Sequence, residues 1–190
     1  MKINETREKI IAETIQLIRE SNGLSETITI RKIAKHADVG IGLVNHYFGS
    51  KEKLLEECVQ RIISGVISAF NPSLTETESA IESAKRIAKE VMDFLMENSE
   101  ISKISILGDL KHPGITDNTM RSVYGFERRL SNDRPEASAR LHAFMITAIL
   151  QVAFLRRDSM LQTLGINFNE KWQRDAFIDE MIERFYPCGM

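Results

Sequence analysis

One stretch, Thr29 to Lys53, TIRKIAKHADVGIGLVNHYFGSKEK, constrains this chain more than any other. Behind Thr29, whose hydroxyl suits the capping of free backbone N–H groups, Ile30, Ile33, Ala34 and Ala37 recur at helical spacing, so a short helix with that face buried is expected. Asp38-Val39-Gly40 then breaks the period with a turn former and a glycine. A second helix over about Ile41 to Tyr47 is expected to turn Leu43, Val44 and Phe48 to the core and Ile41, Gly42, Asn45, His46 and Tyr47 outwards. Ser50 caps a third helix, with Lys51 on its first turn. Two short helices across a tight glycine-containing turn make a helix-turn-helix. An outward face mixing hydrogen-bonding and apolar groups, with a glycine for close approach, suits the edge of a base pair.

The rest of the chain is organised around this stretch. Thr6 to Asn22 carries Ile10, Ile11, Ile15, Leu17 and Ile18 on a helix stopped at Gly23. From Ser50 the helical pattern runs through Leu54, Leu55, Cys58, Val59, Ile62 and Ile63 to Phe70 and stops at Asn71-Pro72. That helix is too long for a three-helix unit alone, so the boundary between the two expected domains, 1–53 and 54–190, falls inside a helix. After a polar loop over 71–77, helices are expected over Glu78 to Asn98, Ile101 to Leu110, Thr116 to Leu130 and Pro135 to Arg157, with Asn132-Asp133-Arg134 as a break. The helix from Pro135 is apolar nearly all round between Leu141 and Leu155, the pattern of an interior helix. Asn169 is expected to cap a last helix, which Pro187 ends. Phe177, Ile178, Met181, Ile182 and Phe185 form one stripe on it, and Phe144, Ala148 and Val152 lie on the apolar helix; such a pair of helices is the pattern of a subunit interface, and equally one that a monomeric bundle buries. No segment alternates with period two, so the fold class is all-α, with about nine helices.

Charge and cysteine content narrow the function. Formal net charge is −2, yet Thr27 to Lys53 holds five Lys/Arg against two Asp/Glu, so positive charge gathers where the outward face lies. Two cysteines, Cys58 and Cys188, without CxxC spacing, fit a reducing compartment rather than a disulfide framework or thiolate metal site. The N-terminus mixes charges with isoleucines unlike a signal peptide, and the apolar run Leu141 to Leu155 falls short of the roughly 20 residues that span a bilayer, so a cytoplasmic protein without a membrane partner is expected. Four histidines fall at no metal-ligand spacing. Gly40-Ile41-Gly42 lacks both a preceding strand and the third glycine of a dinucleotide fingerprint, with Asn45 in its place, and no nucleophile elbow or zinc-protease motif occurs. Neither an enzyme nor a cofactor is expected.

The motif Thr29, Ile33-Ala34, Ala37, Val39, Phe48, Lys51 and Leu54, set behind a leading helix, resembles the N-terminal pattern of the TetR family of bacterial transcriptional repressors over about the first third of the chain. The resemblance implies a homodimer whose reading helices enter successive major grooves of a near-palindromic double-stranded DNA operator. It also implies a small, largely apolar effector in the C-terminal helical bundle that releases DNA. Control by a protein partner, or by no ligand, is the alternative. The family pattern places DNA contacts at Thr29, Arg31, Ile41, Gly42, Asn45, His46, Tyr47 and Lys51. Three departures stand out: Asp38 replaces the usual turn glycine, Gly40 the usual Ser or Thr cap, and Asn45 the usual tyrosine. For the effector pocket, the internal methionines, all between 92 and 181, and the polar groups within the apolar helix give Met92, Met96, Tyr124, His142, Met145 and Gln151 as candidates, with ordinary core filling as the competing reading.

Overall fold

The computed structural model describes residues 2–69, 78–131 and 135–185, with side chains over 5–63, 78–131 and 135–185. Among these residues the structure is helical, with ten α-helices and one 3-10 turn and no strand. The expected stop at Asn71-Pro72, the loop 71–77, the break at Asn132-Asp133-Arg134, the end at Pro187 and Cys188 lie outside the described residues. Two compact units divide the chain: Met1–Ser73 with Asn98–Leu107, and Leu74–Glu97 with Gly108–Met190.

The first unit holds α1 (Lys2–Arg19), the 3-10 turn Ser25–Thr27, α2 (Ile30–His36), α3 (Ile41–Phe48), α4 (Lys51–Ala69) and the start of α6 (Ser99–Lys111). Ile10, Ile11, Leu17 and Ile18 of α1 meet Ile33, Ala34, Val44, Phe48, Leu54, Leu55, Cys58 and Val59 in one apolar core, which Ile101 and Ile104 of α6 complete. The periodicity of each helix explains its buried face, since residues three and four apart share one side. Gly23, at φ +74°, ends the approach from α1, and a Cβ there would lie 2.7 Å from the Lys103 side chain, so only glycine serves.

The second unit holds α5 (Ala80–Glu97), α7 (Asn118–Leu130), α8 (Glu136–Leu155), α9 (Arg157–Leu164) and α10 (Lys171–Phe185). Asp117 caps α7 by accepting from Met120 N at 2.8 Å. The long expected helix ends at Leu155, and Arg157–Leu164 forms a helix of its own, closed by Gly165 in the left-handed conformation. α10 starts two residues beyond Asn169, at Lys171; its entry is held by Gln173 Oε1, which accepts from Asn167 N at 2.7 Å, and by the Glu170 carbonyl, which accepts from Gln173 N at 3.0 Å.

A ladder of opposite charges joins α5 to α10. Lys85 Nζ lies 2.8 Å from Glu183, Lys89 Nζ 2.7 Å from Asp179, and Asp93 receives both Lys171 at 2.5 Å and Arg174 at 3.0 Å. The order shows that the two helices run antiparallel. Ile178, Met181 and Ile182 of α10 are buried within this unit.

α8 departs from the interior helix that its composition predicts. Ala139, Ala143, Ile146, Thr147, Leu150, Ala153 and Phe154 fill the unit's core, but Leu141, Phe144 and Val152 are 58%, 51% and 55% exposed. Helix geometry sets this split, because a single neighbouring layer covers one side of a cylinder and the apolar residues occupy both. Among the described residues α8 alone is long and apolar enough, at 20 residues, to cross a bilayer. One face of it is buried in this unit, and its Arg140 pairs with Glu127 of α7 and with Glu136 of its own first turn.

Candidate nucleic-acid interface

The outward face of α2 and α3 follows from how the chain turns at Asp38. Thr29 sits in extended conformation and its Oγ1 accepts from Lys32 N at 3.2 Å, capping α2. Ile33, Ala34 and Ala37 are buried, as their spacing requires, which leaves Arg31, Lys32 and Lys35 exposed on the opposite side. Asp38 takes φ 51°, the left-handed geometry that Asp tolerates better than most residues, and Val39 N donates back to the Ala34 carbonyl at 3.0 Å. Gly40 begins α3 with no side-chain cap.

Within α3, Val44 and Phe48, four apart, take the core side. Ile41, Gly42, Asn45 and His46 are exposed, and Tyr47 is half-buried. Leu43, expected in the core, is 37% exposed. An eight-residue helix offers one buried stripe, and Val44 with Phe48 occupies it. Leu43 and Lys32 are therefore surface residues of this face that sequence reasoning left out; the surplus of apolar residues on so short a helix was the available signal for Leu43. The arrangement offers Asn45 and His46 as hydrogen-bonding groups and Ile41 and Leu43 as apolar ones, the combination that distinguishes base edges and thymine methyl groups in a major groove.

The C-terminal end of α3 is held from two sides. Gly49, at φ 75°, donates to the Asn45 carbonyl at 2.8 Å, and Ser50 Oγ accepts from Lys53 N at 3.2 Å to start α4. Lys51, half-buried, donates to the Ser25 carbonyl at 3.1 Å, so its ammonium also ties the 3-10 turn to α4. On the far side Arg7 Nη2 donates to both carboxylate oxygens of Glu57 at 2.6 Å, and its guanidinium lies 5.2 Å from the centre of the Phe48 ring. Glu8 pairs with Arg61, whose hydrogen bonds hold the Glu8 carboxyl below the usual range against a smaller opposing effect of burial. Cys58, beneath these pairs, is buried, and burial first, then Glu57, pushes its thiol up to about 12.

The remaining candidates lie in the second unit. Met92 is fully buried; Met96 and Met145 are half-buried. Tyr124 is exposed and donates to the Ile115 carbonyl at 3.2 Å. Half-buried His142 has Nδ1 2.6 Å from the Ser138 carbonyl, and its ring meets Phe185 edge-on at 6.4 Å. Gln151 donates to Thr119 Oγ1 at 2.9 Å, and that hydroxyl donates to Asp109 at 2.9 Å. Of the expected interface residues, Phe144 and Val152 are exposed, Ala148, Phe177 and Phe185 are half-buried, and Ile178, Met181 and Ile182 are buried. Among the described residues no three His, Cys, Asp or Glu side chains gather as metal ligands.

Comparison with protein families falls on the same segment. Residues 10–58 match the model of the family described as bacterial regulatory proteins, tetR family. Over 94 residues the chain is 31% identical to an uncharacterised HTH-type transcriptional regulator of Haemophilus influenzae, covering 50% of this chain and 49% of that protein. Over 63 residues it is 40% identical to the HTH-type transcriptional regulator BetI 2 of Chromohalobacter salexigens, covering 33% and 30%. A third relative, the nucleoid occlusion factor SlmA of Haemophilus ducreyi, is 26% identical over 102 residues, 54% of this chain and 50% of that one. The chain thus spans half or less of the length of these relatives. A solved structure of a TetR-family transcriptional regulator from Haemophilus influenzae is similar with TM-score 0.42 at 20% identity, covering 88% of this chain and 97% of that one.

Proposed function

Because the chain belongs, by its N-terminal unit, to the tetR family of bacterial regulatory proteins, we propose that it is a transcriptional regulator that binds a near-palindromic operator as a homodimer and is released by a small effector in its second unit. The observation that carries the DNA reading is the outward face of α3, with Ile41, Gly42, Asn45 and His46 exposed beside Arg31, Lys32 and Lys35 of α2. Base-reading groups lie on one helix and phosphate-seeking cations on its neighbour, the division of labour that positioning and specificity require. Two such units read one duplex in register when their helices stand about 34 to 36 Å apart, one turn of DNA. The exposed stripe Leu141, Phe144 and Val152 on α8 supports pairing with a second copy.

A gel-shift titration on the DNA upstream of the protein's own coding sequence tests this. A sequence-dependent complex that weakens steeply with added salt is expected. Absence of any such complex would sink the DNA reading. For the effector, small apolar compounds that enter the second unit raise the melting temperature.

The exposed stripe also supports a second reading, regulation by a protein partner, since an apolar helix face accepts another protein as readily as a second copy. One relative carries the name of a nucleoid occlusion factor, which is in keeping with a role other than effector sensing. A homodimer that binds DNA and is stabilised by no compound of a broad apolar panel favours this second reading.

A further inference from the structure

We propose that Arg7 and Glu57 are positioning residues for DNA recognition: their ion pair, seated on the Phe48 ring, fixes the reading helix α3 in the orientation that presents Asn45 and His46. The proposal rests on the reading of α3 as the DNA-facing helix.

Three features of α3 make such a clamp consequential. Its N-terminus begins at Gly40 without a side-chain cap, so that end is held by backbone hydrogen bonds alone. Its C-terminus runs into Gly49 at φ 75°, a position that gives the backbone little resistance to rotation. Between them only Val44 and Phe48 are buried anchors, and Phe48 is the last residue of the helix. Whatever immobilises the Phe48 ring therefore sets the pitch of the helix one turn away, at Asn45.

Arg7 is placed to do this. Both carboxylate oxygens of Glu57 accept from its Nη2, which fixes the guanidinium, and the fixed guanidinium stands 5.2 Å over the Phe48 ring. Arg7 comes from α1, Glu57 from α4 and Phe48 from α3, so one contact triad joins three helices of the unit. Folding does not hang on it, because the apolar core of the unit lies beneath it and Arg61 of α4 also pairs with Glu8 of α1, within the same network of charges.

The sign of one substitution separates positioning from charge. Glu57→Gln removes an anion from a unit that binds a polyanion, so electrostatics alone strengthens binding. Positioning demands the reverse. In the full-length protein, titrated against a labelled duplex from upstream of its own coding sequence, Glu57→Gln is expected to bind about ten-fold more weakly, with the slope of log K against log salt unchanged because no phosphate contact is lost. Arg7→Lys keeps the charge but loses the planar guanidinium that lies over the Phe48 ring, and is expected to weaken binding likewise. Amide exchange supplies a readout independent of DNA: the Gly49 N–H, bonded to the Asn45 carbonyl, exchanges faster in Glu57→Gln, while Leu17 and Ile18 in the core of α1 keep their protection. Equal or tighter binding by Glu57→Gln, full-strength binding by Arg7→Lys, or unchanged exchange at Gly49 overturns the proposal. If the wild-type protein forms no sequence-dependent complex, the DNA reading itself fails, and the exchange measurement still decides whether the pair holds α3.

Discussion

Asp93 of α5 and Arg174 of α10 meet at 3.0 Å, and Arg174, only 8% exposed, spends its other terminal nitrogen on the Phe168 carbonyl at 2.7 Å. Among the described residues Asp93 is the one carboxylate that the structure places against that cation. Burial pushes the Asp93 carboxyl up, but hydrogen bonds from Lys171 and Arg174 outweigh it and hold the group below its ordinary 3.8. A carboxyl with a depressed folded-state pKa contributes stability that is complete above the unfolded value and is lost as pH falls through the folded one. Asp93→Asn should cost about 2 kcal/mol at neutral pH by stranding Arg174, and should flatten the loss of stability below pH about 4. Urea titrations of both proteins from pH 7 to pH 3 check this; parallel curves would show that Arg174 does not depend on Asp93.

The uncapped start of α3 is open to improvement. Gly40 has an ordinary negative φ of −70°, and a Cβ there meets nothing within 4 Å. Gly40→Ser should therefore stabilise the protein by about 0.5–1 kcal/mol, through a new cap and a less flexible unfolded chain. An unchanged denaturation midpoint would mean that the serine hydroxyl does not reach the α3 amides.

Base reading and phosphate binding predict different mutant behaviour. Asn45→Ala and His46→Ala should reorder the preference among operator variants by about 1–3 kcal/mol at the positions they face, whereas Lys51→Ala should weaken all sequences alike. Binding measured across a library of single-base changes distinguishes the two patterns. A uniform loss for Asn45→Ala would remove it from base recognition.

The exposed stripe of α8 gives a test of assembly. Phe144→Asp with Val152→Asp places two charges on a surface already open in the single chain, so folding should be preserved while association is lost. Light scattering is expected to report a monomer with unchanged helix content. A mass that does not fall would place the subunit contact elsewhere.

Cys58 should behave as an inert core residue. With Cys188 replaced by serine, its thiol, held at about 12, should react with alkylating reagent at pH 8 roughly a thousand-fold more slowly than a free thiol. Labelling over time, with and without urea, checks this; rapid labelling in the native state would contradict its burial.

Much of the first unit was legible in the sequence because short helices with strict spacing leave few options. Thr29 caps α2, Asp38 takes the left-handed turn, and Ile33, Ala34 and Ala37 lie inside, each as the residue types dictate. What escaped depends on partners distant along the chain. Leu43 reads as core until Val44 and Phe48 are seen to fill the single stripe available. Composition could not say which side of α8 its neighbours leave uncovered. Nothing local to Arg7 announces that Glu57, fifty residues on, meets it.

The pairing of α5 with α10 has a consequence for assembly of the fold. Along α5 the charges run plus, plus, minus at Lys85, Lys89 and Asp93; α10 answers with minus, minus, plus at Glu183, Asp179 and Arg174. Sliding α10 by one helical turn in one direction sets Asp93 against Asp179, whereas sliding it the other way sets Lys89 against Asp175 and Asp93 against Lys171. Apolar stripes tolerate such slippage because one leucine-sized contact resembles the next, but a sign change along the seam does not. The ladder therefore acts as a ratchet, opposing slippage in the direction that would bring Asp93 and Asp179 together.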